Sequence, residues 1–448
     1  MGDEQQEEQV FPKPLSGSMI EELNQYVIVE PYPFVIDLEK SKGMYLATVD
    51  GDQIFDWSGL YGSKLIGFNH DRMYEADYLK RLAVAANNKM ANPDYLTKEC
   101  LDYYRLLFQL APNCMAKASK KVELYVVNSG AEAVENMMKY FIYLHHQRLL
   151  REQKSVNNRR FVYFDQAFHG RTLFALNITK LAHDPLITRD YHGLVPGNMQ
   201  VPFPAVDHSL SYEENRKEME SALLTLEHLV KLYRDEIVAV ILEPIQGAGG
   251  QRVALPEFYQ RLSELCHKHS ILLGIDEVQT SGGQTGSFFC IDLFNLPHPP
   301  QAVASAKKLG NGVLYMLESM DDVGLLDSTW GGSLCDMVRF MQEWKIIRDE
   351  KLLEQVAAKG AHLVNCLQEL TAKFPHLIYN VRGLGLYQGF SLKLQSHKAK
   401  LIDLALNQEE MLLLGAGKES IRFRPPLDVT MNEIDLMIQK LARTLSKL

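Results

Sequence analysis

The stretch Ile271–Thr280 reads ILLGIDEVQT, an apolar run that ends in two carboxylates and a glutamine. Pro256–Lys268, just before it, is amphipathic with helical spacing and leads directly into the run. Ile237–Leu242, IVAVIL, is apolar throughout and rich in Val and Ile, as a strand buried on both faces requires. Further out, Val122–Val127 reads as a buried strand followed by a helix from Ala131 to about Gln147, and Arg160–Phe164 as a short strand. This alternation predicts an α/β fold, with a mostly parallel central sheet covered by helices on both faces. Ligands in such sheets bind beyond the carboxyl ends of the strands. Downstream, Ala302–Gly312 reads AVASAKKLGNG, a small-residue run that ends in paired lysines and a glycine turn.

The flanks read differently. MYLATVDGDQIFDW, from Met44, predicts a β-hairpin turning at Asp50–Asp52. After Thr329 the rhythm changes. Cys335–Phe374 is largely helical, followed by RGLGLYQGFSL, a short segment around Met411–Leu414, IRFRPP and a closing helix from Met431. The expected organisation is an N-terminal segment (1–75) packing with a smaller α+β domain (329–448), and a large domain (76–328). Residues 1–15 read as a disordered lead-in.

The chain has 448 residues, 46% of them hydrophobic and 23% charged, within the range of globular proteins. A net charge of −9 argues against a nucleic-acid surface. The pairs Lys120-Lys121 and Arg159-Arg160 read as solvated ends of elements. Six scattered cysteines form no C-x-x-C pair, which predicts reduced thiols, a cytoplasmic location and no metal site. The acidic N-terminus is expected to be neither a signal nor a transit peptide. No apolar run is long enough to span a bilayer.

The chemistry-bearing residues fall at predicted strand ends. Ser129-Gly130-Ala131 opens a helix, where free N–H groups and the helix dipole favour an anion such as a phosphate. An ordinary turn capped by Ser129 would read the same. In Ala167–Thr172, AFHGRT, Phe168 can stack on a flat ring and Arg171 can pair with a carboxylate. Glu243 ends an apolar strand, where an acid is costly unless it is paired, and the glycines after it let backbone approach a ligand. Asp276 also ends an apolar strand, where a buried carboxylate favours a cationic partner such as a pyridinium N–H, and an acid capping the following turn would read the same. Gln279 is placed to bond a ring hydroxyl. Lys307 competes with Lys308 for the role of a reactive amine, and its spacing to the glycine turn favours it. An acid at one strand end and a lysine after the next strand are the two charges pyridoxal phosphate chemistry needs. The lysine forms a Schiff base and the acid keeps the ring nitrogen protonated. Arg422 alternates with apolar neighbours and can point into a cleft.

SGAEAVE, AFHGRT, EPIQGAGG, DEVQTSGG, AKKLGNG, STWGG and IRFRPPL, in this order, resemble the class III (ω-type) pyridoxal-phosphate aminotransferases, closest to the L-lysine 6-aminotransferases. The resemblance implies fold type I and transfer of the terminal amine of L-lysine to 2-oxoglutarate by a ping-pong mechanism. It implies that Gly130 and Ala131 bind the phosphate, Phe168 stacks on the ring, Asp276 holds the ring nitrogen and Gln279 the ring hydroxyl. Lys307 would be the Schiff-base lysine, and Arg171 and Arg422 the carboxylate receivers. Thr329 would reach the phosphate of the neighbouring subunit in a homodimer. One position departs from the pattern. Lysine, ornithine and γ-aminobutyrate aminotransferases usually carry a glutamate where this chain has Ala248, and that glutamate covers the arginine equivalent to Arg422; here the cover is missing unless Glu243 or another acid substitutes. The GAGG form resembles the loop of amine:pyruvate transaminases.

Overall fold

The computed structural model describes residues 11–118, 122–188, 191, 195, 197–321 and 324–448. Three strands open the chain: β1 (Ile36–Lys42), β2 (Tyr45–Thr48) and β3 (Gln53–Asp56). β2 and β3 form the expected hairpin, with Gly51 at φ +97° in its turn. Next come β4 (Glu123–Val127), β5 (Arg160–Phe164), β6 (Met199–Val201), β7 (Ile237–Leu242), β8 (Leu272–Asp276), β9 (Ala302–Ser305) and β10 (Gly312–Met316). They form one sheet in the order β4-β10-β9-β8-β7-β5-β6. β9, β8, β7, β5 and β6 run parallel, and β10 is antiparallel to both its neighbours. The expected mostly parallel sheet is therefore present.

Every residue of β7 is buried. Its alternation feeds two cores. Ala239 and Ile241 join Met137 and Phe141 of the helix Gly130–Arg151, whereas Val240 and Leu242 join Phe258 and Leu262 of the helix Pro256–His269. Helices thus cover opposite faces of the sheet, as continuous apolar strands demand. Gly274 of β8 lets the first helix sit close, because a Cβ there would lie 2.6 Å from the Phe141 ring.

The C-terminal part begins with the helices Leu334–Asp349 and Leu352–Lys373. Then follow β11 (Ile378–Leu384), β12 (Tyr387–Leu392), the helix His397–Glu409, β13 (Met411–Leu412), β14 (Leu414–Ala416), β15 (Ser420–Arg422) and the closing helix Met431–Leu445. β11, β12, β15 and β14 form an antiparallel sheet, while β13 adds in parallel to β3. That pairing joins the N-terminal hairpin to the C-terminal segment. Arg424 N–H also donates to the Trp57 carbonyl at 3.0 Å.

Two expectations change. Residues 11–15 are not a disordered lead-in. Phe11 packs edge-on against Phe34, with centroids 6.1 Å apart, and Pro14 starts a helix running to Leu23. Residues 1–10 lie outside the described residues, as do Lys120 and Lys121. Arg160 is not simply solvated, because it pairs with Glu236 and its guanidinium lies 4.8 Å from the Tyr233 ring centre.

Candidate active site

A cavity of about 470 Å³ opens where β5, β7, β8 and β9 end. A larger depression of about 670 Å³ lies elsewhere, on the outer face of the helix Tyr212–Tyr233. Sheet register builds the strand-end cavity. Asp276 pairs with Ala304, so the end of β8 and the segment after β9 that carries Lys307 lie side by side. Gly130, Ala131, Phe168, Arg171, Glu243, Asp276, Gln279, Lys307 and Arg422 all line the cavity, and Ala248 does too. Ser129 does not line it and instead caps the helix Gly130–Arg151, accepting from Glu132 N–H, while Thr329, expected at the site of a neighbouring subunit, is exposed.

The two lysines take opposite courses. Lys308 turns inward and is buried, its amine donating to the carbonyls of Gln279 and Ser281 at 2.6 Å each. Lys307, at φ +48°, turns into the cavity, with its amine 3.1 Å from the Tyr61 carbonyl. Burial, reinforced by the charges of Arg422 and Arg424, pulls the Lys307 pKa from 10.5 to about 8. A neutral amine is the nucleophilic form. At pH 7 about one amine in ten is neutral with a pKa near 8, roughly 300 times the fraction at 10.5. Cofactor capture by the apoenzyme is expected to accelerate as pH rises and to level off just above 8. A stopped-flow profile still climbing towards pH 10 would contradict the lowered pKa.

Asp276 is held from two sides. Its Oδ2 lies 2.8 Å from His169 Nδ1, and its Oδ1 accepts from Val278 N–H at 3.0 Å. Burial alone would lower the His169 pKa, but the hydrogen bond and charge of Asp276 outweigh it and hold it above its ordinary value. The second acid of the motif, Glu277, turns away and accepts from Ile291 N–H at 2.7 Å. Glu243 accepts from Phe168 N–H at 2.9 Å, and burial pushes its pKa up to about 7.

Arg422 is buried, and burial lowers its pKa to about 10. Among the described residues its Nε has no hydrogen-bond partner, and its Nη1 meets the Gln279 amide oxygen at 3.4 Å. Arg424 donates to the same oxygen at 3.0 Å, while the Gln279 amide nitrogen donates to the Tyr61 carbonyl at 3.3 Å.

Several lining residues were not expected: Tyr61, His169, His183 and Asp184. His169 stands inside AFHGRT, next to Phe168, so its motif was a usable signal. Tyr61 had a weaker one in the sequence Gly59-Leu60-Tyr61-Gly62. All four of these residues have positive φ, from 49° at Leu60 to 77° at Gly62. A Cβ at Gly59 would lie 1.9 Å from the Arg424 carbonyl oxygen, so only glycine fits there.

The sheet order, with a lysine and a buried acid at adjoining strand ends, defines the fold type I group of pyridoxal-phosphate-dependent enzymes. Within that group the chain belongs to the class-III aminotransferases, whose family profile matches residues 26–445. It is 30% identical over 436 residues to the L-lysine-epsilon aminotransferase of Amycolatopsis lactamdurans, covering 95% of this chain and 94% of that protein. To the Streptomyces clavuligerus protein of the same name it is 29% identical, covering 95% and 93%. The lysine aminotransferase of Mycobacterium tuberculosis, solved in the internal aldimine form, superposes with a TM-score of 0.90 at 29% identity, covering 96% of this chain and 99% of that one.

The chain is thus a transaminase that depends on pyridoxal 5′-phosphate, and its cavity fits that group. The N–H groups of Gly130 and Ala131, first in their helix, have no hydrogen-bond partner among the described residues. A Cβ on Gly130 would lie 2.6 Å from Val278, so glycine lets the helix start reach the strand end. No helix among the described residues is long and apolar enough to cross a membrane.

Proposed function

We propose that this enzyme transfers the terminal amine of L-lysine to 2-oxoglutarate in two half-reactions, giving the 6-semialdehyde and L-glutamate. Pyridoxal phosphate, when bound, would supply a ring that accepts electrons from the amine-bearing carbon. Lys307 would hold that group through its amine, and the same amine is placed to move the proton at the substrate's amine-bearing carbon. Asp276 keeps the ring nitrogen protonated, and His169 fixes the orientation of Asp276. Gly130 and Ala131 would offer N–H groups to the phosphate, Phe168 would stack on the ring and Gln279 would meet its hydroxyl. Arg171 and Arg422 receive carboxylates. Thr329 serves the site of a second copy, which makes the working unit a homodimer, and the location is the cytoplasm.

This reading rests on Arg422, a buried guanidinium at the cavity wall whose hydrogen bonding among the described residues is to a neutral amide, with Glu243 the acid whose charge it feels in the same cavity. A buried cation left that way calls for a carboxylate from the substrate. Both the amino acid donor and the dicarboxylate acceptor bring one. The relatives named above agree on lysine. The test is product formation with L-lysine and alternative acceptors. Glutamate formed from 2-oxoglutarate at a higher kcat/KM than alanine from pyruvate supports the reading, and the reverse order refutes it.

Ala248 favours a second reading, an amine:pyruvate-type transaminase. It lines the cavity at the position where a covering glutamate is usual. Ala248→Glu is expected to place a competing carboxylate by Arg422. It should lower kcat/KM for L-glutamate about tenfold relative to the ω-amine donor, the scale of a close charge pair. An unchanged ratio would show that Ala248 does not govern the choice.

A further inference from the structure

We propose that His362, Cys366 and Asp435 form a binding site for one borderline-soft divalent metal ion, of the zinc type, on the C-terminal helices away from the catalytic cavity. His362 and Cys366 stand one helical turn apart on the helix Leu352–Lys373. Residues four apart share a helix face, so both side chains project the same way. Asp435 reaches them from the closing helix Met431–Leu445, which packs against that helix. One ligand atom from each residue lies within 4.8 Å of the others. None of the three lines the cavity that holds Lys307.

The geometry distinguishes this cluster from two plainer arrangements. A Cys-His-Asp proton relay would place the thiol and the carboxylate on opposite ring nitrogens. Here both converge on His362 Nε2, with Asp435 Oδ1 at 2.6 Å and Cys366 Sγ at 3.7 Å. A simple His–Asp ion pair accounts for the short contact but not for the thiol beside it. The Sγ–Nε2 separation is close to a tetrahedral edge, about 3.5 Å when the metal–sulfur and metal–nitrogen bonds are about 2.3 and 2.0 Å. The carboxylate must retreat by somewhat less than 1 Å, which Asp435 can do because its side chain is 48% exposed.

The donor set selects the ion. One imidazole nitrogen, one sulfur and one carboxylate oxygen suit zinc or cobalt, whereas calcium and magnesium take oxygen shells. On binding, the Cys366 thiol gives up its proton to solvent as the sulfur–metal bond forms, with no change of oxidation state. Thiolate and carboxylate then balance the two positive charges. Glu369, one turn further on, adds negative charge near Cys366. Solvent water fills the fourth position, since His362 is only partly covered. The ion ties the closing helix to its neighbour beside the buried contacts of Leu363, Leu367 and Ile434.

The experiment is a cobalt(II) titration of the cofactor-saturated enzyme, read as a difference spectrum. One equivalent should bring up a sulfur-to-metal charge-transfer band. Cys366→Ser should abolish the band, and His362→Ala and Asp435→Asn should each weaken binding about tenfold or more. Zinc should raise the Tm of the wild type and leave that of Cys366→Ser unmoved, because only an ion bound to the folded state stabilises it. Absence of the band overturns the proposal. So does a band of unchanged affinity in either Cys366→Ser or His362→Ala, or an equal Tm rise in wild type and Cys366→Ser. Transamination by Asp435→Asn at the wild-type rate shows that the variant is folded.

Discussion

Lys307→Ala is expected to keep the fold and lose roughly a thousandfold or more of multiple-turnover transamination. Both jobs assigned to the amine, covalent attachment and proton movement, disappear together. Stability should change little, because the Lys307 amine has one hydrogen bond, to the Tyr61 carbonyl, at the edge of an open cavity. Lys308→Ala supplies the contrast. It strips the buried Ser281 carbonyl and the partly buried Gln279 carbonyl of their donor. Leaving such groups unpaired costs about 1–3 kcal/mol each, so Lys308→Ala should lower the Tm while Lys307 still captures the cofactor. Steady-state rates, circular dichroism and thermal melts of the two variants decide the matter. Turnover retained in Lys307→Ala, or lost through failed cofactor capture only in Lys308→Ala, would reverse the assignment.

Asp276→Asn should separate charge from hydrogen bonding. The amide keeps the shape and can still bond His169 Nδ1, now 2.8 Å from the carboxylate. It cannot supply the negative charge that keeps a ring nitrogen protonated. Turnover should fall by about 10²–10³-fold, the scale of losing one preorganised electrostatic group, with little change in Tm. Asp276→Ala should add a stability loss, because it leaves both ring nitrogens of the buried His169 without a partner among the described residues. Equal activity in wild type and Asp276→Asn would remove Asp276 from the chemistry.

The parallel sheet and its strand ends were legible in the chain because they follow from strict local rules. IVAVIL can only be a doubly buried strand, and the helix before ILLGIDEVQT has a clear apolar stripe. Lys307 and Asp276 came with their strands, since a strand end is a position in space as well as in sequence. The remainder depended on contacts between distant segments. Tyr61 reaches Lys307 from 246 residues away, through a left-handed turn that only its two glycines hint at. His169 was visible inside its motif, but its tie to Asp276 was not. Residues 11–15 order themselves despite their disordered look, because a short segment can anchor on one buried aromatic, here Phe11 against Phe34. The link between β3 and β13 joins the two ends of the chain, and no local pattern encodes such a pairing.

An amine-accepting cofactor on Lys307, in a pocket that takes L-lysine, can be read from one titration: the purified holoenzyme with L-lysine, L-ornithine, γ-aminobutyrate, β-alanine and L-glutamate, one at a time, followed by the absorbance of the bound cofactor. L-Lysine is expected to bleach the band and 2-oxoglutarate to restore it. A band bleached by glutamate but untouched by lysine would rule out lysine as donor, and a protein with no cofactor band at all would remove pyridoxal phosphate from Lys307.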